Sequence, residues 1–322
     1  LFTLFFPKLL VGPIERANHF LPQIRKPIFF NKENLVEGSK RIAWGLFKKL
    51  VVANRISIYQ DAVISSVSHQ SGSTILFATI LYTFQVYADF SGYTDIAVGT
   101  ARLFGFDLIE NFKRPLFAKS VSDFWRRWHI SLSSWVNDYI FNPLALKRRT
   151  WGNWSVFYAL LISFLVIGFW HGGSWNYVVF GLLQAVALIF ETSTRRLRKQ
   201  IAQKTSSILY NFVSVILTFS FVSFSLIIFR SETWDQVREI IKGIFSAPGN
   251  LFYDTPSTLL FILLGCSILL VHDIQQEFNL FKIPVFAKKN RLWASQIGYA
   301  LLLIYVLLAG IFDGGQFIYF AF

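Results

Sequence analysis

Five histidines occur among 322 residues, and two of them stand where an imidazole could do chemistry. His171 ends the apolar run Trp154–Trp170 and is followed by Gly172, Gly173, Ser174 and Trp175. An ionisable group at the end of an apolar span is a functional hypothesis by default. Histidine suits general-base work because its pKa lies near operating pH, and burial can keep it neutral. The glycines allow a sharp turn and close approach by a substrate. The same residues also read as an interfacial histidine at a helix hairpin with glycine as its cap.

His129 lies between Trp128 and Ile130 in a segment of helical pattern, with Asp123, Arg126 and Arg127 within the same two turns. It reads as a second polar group facing a cavity, with Arg126 and Arg127 available for a phosphate-bearing ligand. Taken alone, these residues fit better an interfacial amphipathic helix with snorkelling arginines. His19, His69 and His272 are isolated near loops or helix ends and read as solvated or structural.

Other chemistries find no residues. There is no His-Glu-x-x-His pair, no Gly-x-Ser-x-Gly elbow and no Gly-rich phosphate loop with Lys. The one cysteine, Cys266, rules out an internal disulfide and a cysteine metal cluster, so no metal site is expected.

The elements around the histidines must be membrane spans. Hydrophobic residues make up 54% and charged residues 15% of the chain, well below the roughly 25% charge of soluble domains. Aromatic residues reach 18%, which suits contact with acyl chains and headgroups. Apolar runs occur at Leu1–Val11, Trp44–Ser65 (interrupted by Arg55 and Asp61), Thr74–Ala88, Trp154–Trp170, Tyr177–Phe190, Ser207–Phe229, Ser257–Val271 and Trp293–Phe312. Thr233–Phe245 reads as an amphipathic surface helix with Trp234, Val237, Ile240, Ile241 and Phe245 as its apolar set. The chain starts inside an apolar run and has no Met, which predicts a piece cut from a longer protein. No signal peptide, repeat or soluble domain is evident, so residues 1–322 read as a single transmembrane domain.

The net charge of +13 resides mostly in alternate loops. Arg16 to Arg41, Lys113 to Arg149, Arg195 to Lys204 and Lys282 to Arg291 are basic, while Ser66–Ser73 and Arg230–Asp254 are not. The basic loops therefore face the cytoplasm and anionic lipid, and the His171 turn faces outward. No nucleic-acid motif accompanies the basic clusters.

The stretch Asp89–Thr150 is too polar for lipid and too aromatic for a simple loop. Irregular backbone at membrane depth must be covered by protein or line a wet cavity. The stretch reads equally as re-entrant and interfacial helices walling a cytoplasmic cavity, or as a cytoplasmic hairpin held by aromatic belts.

These residues resemble a known family. Gly12-Pro13-Ile14-Glu15-Arg16, the run Tyr87–Ala97, the run from Asn111-Phe112-Lys113-Arg114-Pro115 to Asp123-Phe124-Trp125-Arg126-Arg127-Trp128-His129-Ile130-Ser131-Leu132, and Gly168-Phe169-Trp170-His171-Gly172 are similar to bacterial membrane-bound O-acyltransferases (MBOAT) of the alginate O-acetyltransferase type. The closing Gln316–Phe320 is similar as well. The resemblance departs from the family pattern at Asn137, which precedes Asp138-Tyr139, and in the run Gly181-Leu182-Leu183-Gln184-Ala185 after the histidine turn.

The resemblance implies an all-α, multi-pass helical bundle with re-entrant or interfacial helices around a central tunnel, here lacking its N-terminal spans. It implies catalytic His171 and His129, and transfer of an acyl group, usually acetyl, from a cytoplasmic thioester such as acyl-CoA to hydroxyls of an extracytoplasmic polysaccharide. On this reading Asp123, Trp125, Arg126, Arg127, Trp128, Lys113, Arg114 and Trp170 are the substrate-binding candidates. No cofactor is implied beyond the thioester co-substrate. A periplasmic or surface partner resembling an esterase, and residence in the bacterial cytoplasmic membrane, follow from the same likeness. A lysophospholipid or D-alanyl transferase, and a transporter of glycan or lipid without chemistry of its own, stand as alternatives.

Overall fold

The computed structural model describes residues 2–9, 12–253, 255–280 and 288–312, the side chains of 288–295 excepted. Leu1, Val11, Asp254, Lys282, the side chains of Lys288, Lys289 and Arg291, and the closing Gln316–Phe320 lie outside the described residues. Fifteen α-helices occur among the described residues, with no strand: α1 (Phe6–Leu9), α2 (Ala17–Ile24), α3 (Lys32–Leu46), α4 (Asn54–Ile64), α5 (Gly72–Leu103), α6 (Val121–Arg127), α7 (Ile130–Val136), α8 (Asn142–Lys147), α9 (Asn153–His171), α10 (Trp175–Ser193), α11 (Arg195–Lys204), α12 (Ser207–Arg230), α13 (Trp234–Ile244), α14 (Pro256–Phe278) and α15 (Lys288–Ala309). Side-chain caps set several of their starts. Ser71, Ser120, Ser174 and Thr233 each accept a hydrogen bond from a backbone N–H in the first turn. Four helices, α9, α10, α12 and α14, are long and apolar enough to cross a membrane among the described residues.

The chain forms two compact units. The first comprises the described residues from 2 to 110 and from 248 to 312. Here α3 continues through a π-helical turn, Phe47–Ala53, into α4. The expected span Trp44–Ser65 is thus part of a longer helical rod. The stretch from Asp89 onward is also different from expectation, because α5 does not stop at Ala88 but runs on to Leu103. Its acids are neutralised in place. Lys49 pairs with Asp89 at 2.6 Å, Lys48 with Asp95 at 2.5 Å, and Arg41 with both Asp95 and Glu110. Buried charges persist when paired and hydrogen-bonded, so the helix need not break to shed them. The same interface holds two glycine contacts. A Cβ at Gly45 would lie 2.6 Å from the Gly92 carbonyl oxygen, and one at Gly99 would lie 2.8 Å from that of Gly38. Both glycine pairs are spaced by seven, so the backbones touch along one stripe of α3 and α5. α14 and α15 complete the unit. Tyr87 donates to Asp273 at 2.8 Å, and Arg55 donates to the Ala309 carbonyl at 2.8 Å. His272 packs on Trp44, and His19 pairs with Glu15 at 2.9 Å, as structural histidines would.

The second unit comprises residues 111–247. The hairpin α9–α10 is its frame. A Cβ at Gly168 would meet the Tyr177 carbonyl oxygen at 2.5 Å, and one at Gly181 would meet that of Phe164, so both glycines permit close backbone approach. α12 packs on α10, and α13 on α12. Val237 and Ile240 of α13 are buried as the pattern predicts, whereas Phe245 follows the helix and is exposed.

Candidate active site

His129 is not inside a helix. α6 ends at Arg127, α7 starts at Ile130, and His129 takes a left-handed conformation with φ 44°. The physical reason is competition for hydrogen bonds. The Lys113 N–H donates to the Arg127 carbonyl at 2.8 Å, and the Ile130 N–H donates to the Asn111 carbonyl at 3.0 Å. The segment Asn111–Lys113 thus takes bonds that a continuous helix would have kept. A non-glycine residue with positive φ persists only where its surroundings over-determine it, and such sites cluster at functional positions.

The Asn111 side chain is the hub. Its Oδ1 accepts from the Ser131 N–H at 3.1 Å and from the Ser131 hydroxyl at 2.8 Å, which identifies that atom as oxygen. The His129 Nδ1 lies 3.2 Å from the same oxygen and must therefore be its protonated nitrogen. In the neutral ring the lone pair then sits on Nε2. His129 is 4% exposed. Burial, with a smaller contribution from charge on His171, pushes its pKa down to about 3, so the ring is neutral at physiological pH.

His171 ends α9 against an aromatic wall. Its ring centroid lies 5.0 Å from Phe229 and 6.4 Å from both Phe180 and Tyr177. A Cβ at Gly172 would stand 2.6 Å from the Tyr177 ring, so that glycine is required by contact. Trp170 joins the two histidines. Its ring centroid is 6.0 Å from His129 and 4.9 Å from His171.

The other candidates take distinct places around this pair. Asp123 accepts from the Lys119 N–H at 3.1 Å and pairs with Arg127 at 3.1 Å and, more loosely, with Arg126 at 3.4 Å. Burial disfavours its charged form, but that amide and the two guanidinium groups outweigh burial and hold its carboxyl below the usual range. Arg127 is thus engaged with Asp123, while the Arg126 side chain is 70% exposed. Trp125 is buried, donates to the Gln184 Oε1 at 3.1 Å and sits edge-on to Phe164. Trp128 stacks on Phe124 with centroids 5.5 Å apart. Both tryptophans anchor α6. Lys113 is exposed, and Arg114 takes a left-handed conformation at the start of the Pro115–Phe117 turn.

Sequence reasoning missed four residues. Asn111 and Ser131 hold the His129 ring. Gln184 and Glu191, seven residues apart on α10, hold α6. Glu191 accepts from the Val121 N–H at 2.6 Å, the Ser122 N–H at 3.0 Å and the Ser122 hydroxyl at 2.7 Å. Gln184 passes its other bond to Ser225. For the last two the available signal was polarity within or beside the apolar run Tyr177–Phe190. Asn176, Gln184 and Glu191 are all buried on one stripe of α10.

The arrangement can move a proton. It has two imidazoles on one tryptophan, one of them neutral with a defined tautomer, at the end of an apolar helix. A family model described as MBOAT, the membrane-bound O-acyltransferase family, matches residues 1–230. The chain is 32% identical over 251 residues to "Peptidoglycan O-acetyltransferase" of Helicobacter pylori, covering 77% of this chain and 46% of that protein. It is 30% identical over 245 residues to "Probable alginate O-acetylase AlgI" of Pseudomonas aeruginosa, covering 76% and 45%. It is 30% identical over 242 residues to "Teichoic acid D-alanyltransferase" of Bacillus subtilis, covering 72% and 60%. The chain therefore spans about half the length of the first two relatives. With a family match running through both histidines to the end of α12, the chain belongs to the membrane-bound O-acyltransferase family.

Proposed function

We propose that the chain carries the transfer site of a bacterial cytoplasmic-membrane enzyme that moves an acyl group, acetyl in the first instance, from a cytoplasmic thioester such as acyl-CoA to a hydroxyl of an extracytoplasmic polysaccharide. The relatives named above act on peptidoglycan, alginate and teichoic acid by their names, and that range of polymers supports the acceptor class. One observation carries the reading. His129, buried, and His171, half-buried against an aromatic wall, share Trp170, which fits proton transfer to and from a hydroxyl.

In the proposed step His171 takes the proton of the acceptor hydroxyl. The oxygen attacks the thioester carbonyl carbon, a C–O bond forms, and the C–S bond breaks as the tetrahedral intermediate collapses. The departing thiolate takes up the proton, and ester and thiol are the products. His129, neutral and with its lone pair on Nε2, accepts a hydrogen bond. That suits it to orienting the reacting groups better than to holding an oxyanion, which needs a donor. Of the two arginines of α6, Arg126 is the better placed to meet donor phosphates, since it is the more exposed and holds Asp123 the more loosely. A periplasmic or surface partner that passes the acyl group onward belongs to the same proposal.

The test is a transfer assay with purified protein, radiolabelled acetyl thioester and a polysaccharide acceptor. Label on the acceptor supports the proposal, and incorporation from a D-alanyl thioester instead moves the donor to the third relative's kind. Neither transfer nor thioester hydrolysis would overturn it in favour of transport.

A further inference from the structure

The entry to α9 builds a basic and aromatic corner that the transfer site does not use. The Arg148 guanidinium lies 4.4 Å from the Trp151 ring centroid and 4.6 Å from that of Tyr158. Cation–π contact on two rings immobilises it. Among the described residues no carboxylate pairs with it, and its Nε is buried without a hydrogen-bond partner. The sequence contains no acid between Asp138 and Glu191, while Lys147 and Arg149 flank Arg148. Beside this cation runs an open groove of about 630 Å³, lined by Trp151, Trp154, Phe157, Tyr158, Leu161 and Ile189. Trp151 and Tyr158 belong to both the groove and the cation site.

We propose that this corner binds one anionic phospholipid, its phosphate on Arg148 and an acyl chain along the aromatic groove. A planar, weakly hydrated guanidinium held in place suits bidentate recognition of a phosphate. The groove is apolar and opens beside α9, a helix long enough to span the bilayer, and tryptophans at its end suit the headgroup level. The free charge on Arg148 selects for a net anion, because a zwitterionic headgroup brings its own ammonium to a site that is already cationic. A soluble phosphate would gain nothing from the groove, and an acidic protein segment would find Lys147 and Arg149 but no use for the aromatic wall. The proposal does not depend on acyl transfer.

Native mass spectrometry of the purified full chain, released from micelles holding phosphatidylglycerol or phosphatidylcholine of the same chain lengths, tests it. Wild type is expected to retain phosphatidylglycerol preferentially, and Arg148→Gln to retain about tenfold less of it. Arg148→Lys keeps the charge without the planar fork and should fall between them. It also serves as the second variant if circular dichroism shows that Arg148→Gln is misfolded. Trp151→Leu should lower retention of both lipids. Equal retention of the two lipids by wild type, unchanged retention in Arg148→Gln, or displacement of the lipid by millimolar glycerol phosphate would each overturn the proposal.

Discussion

The rings of His129 and Trp170 meet at 6.0 Å and 61°, although 41 positions separate them in sequence. Trp170 is more than half exposed on its other side. It therefore forms a partition that touches both imidazoles and still faces outward. Replacing it with Phe keeps an aromatic edge there, whereas Ala removes it. Aromatic pairs contribute about 0.5–1.5 kcal/mol beyond burial. Trp170→Ala is expected to lose roughly two- to tenfold in kcat while Trp170→Phe stays near wild type. Steady-state transfer kinetics of the two variants would show the difference.

His171→Ala should remove transfer almost completely, because a general base contributes about 10²–10⁴-fold. The protein should still insert and keep its helical circular dichroism, since His171 is the last residue of α9 and is only half-buried. Retained transfer in that variant would defeat the assignment of the base.

Asn111→Ala leaves the Ser131 N–H, the Ser131 hydroxyl and the His129 Nδ1–H without their shared acceptor in a buried place. A buried donor left unsatisfied costs about 1–3 kcal/mol, so a clear fall in thermal stability is expected. Asn111→Asp keeps the acceptor and adds a negative charge 3.2 Å from the ring, which raises the His129 pKa. The acid limb of the activity profile should move to higher pH in that variant and not in Asn111→Ala.

His129 also makes stability depend on pH with a definite sign. Its folded pKa is about 3 against 6.5 for a free side chain. Below pH 6.5 the unfolded chain takes up a proton that the folded chain refuses. Stability is therefore complete above that pH and is lost as pH falls toward 3. Each unit costs about 1.4 kcal/mol, so pH 5 should destabilise the protein by roughly 2 kcal/mol relative to pH 7.5. Melting curves of wild type and His129→Gln in micelles test this, with the variant expected to be the flatter of the two.

Glu191 ties α10 to the first turn of α6. Glu191→Ala strips three hydrogen bonds and should cost about 1–3 kcal/mol. Glu191→Gln turns an amide NH₂ toward a backbone N–H and should recover only part of the loss. Denaturant titration ranks the three proteins.

Gly45→Val tests the helix stripe of the first unit. Its Cβ would stand 2.6 Å from the Gly92 carbonyl oxygen, so α3 and α5 must separate. Overpacking of this kind costs about 1–3 kcal/mol or more. Gly173→Ala is the control, since nothing lies within 4 Å of a Cβ there.

The sequence by itself determined the helical class, most of the long apolar helices and the amphipathic α13. Those features follow from local composition and period, which a chain carries without its neighbours. Only the tertiary structure decided what the polar residues do. Asp89 and Asp95 looked too charged for a continuous helix, and Lys48, Lys49 and Arg41 allow one. His129 looked helical, and the competing backbone bonds of Asn111 and Lys113 break the helix there. Gln184 stood only in a run that departs from the family pattern and Glu191 just beyond the apolar run, yet they hold the helix that leads to His129. In each case the deciding partner lies well beyond the next turn of the helix, on another segment of the chain. The cost of a buried charge or an unmet hydrogen bond depends on that partner, so local pattern could not reveal it.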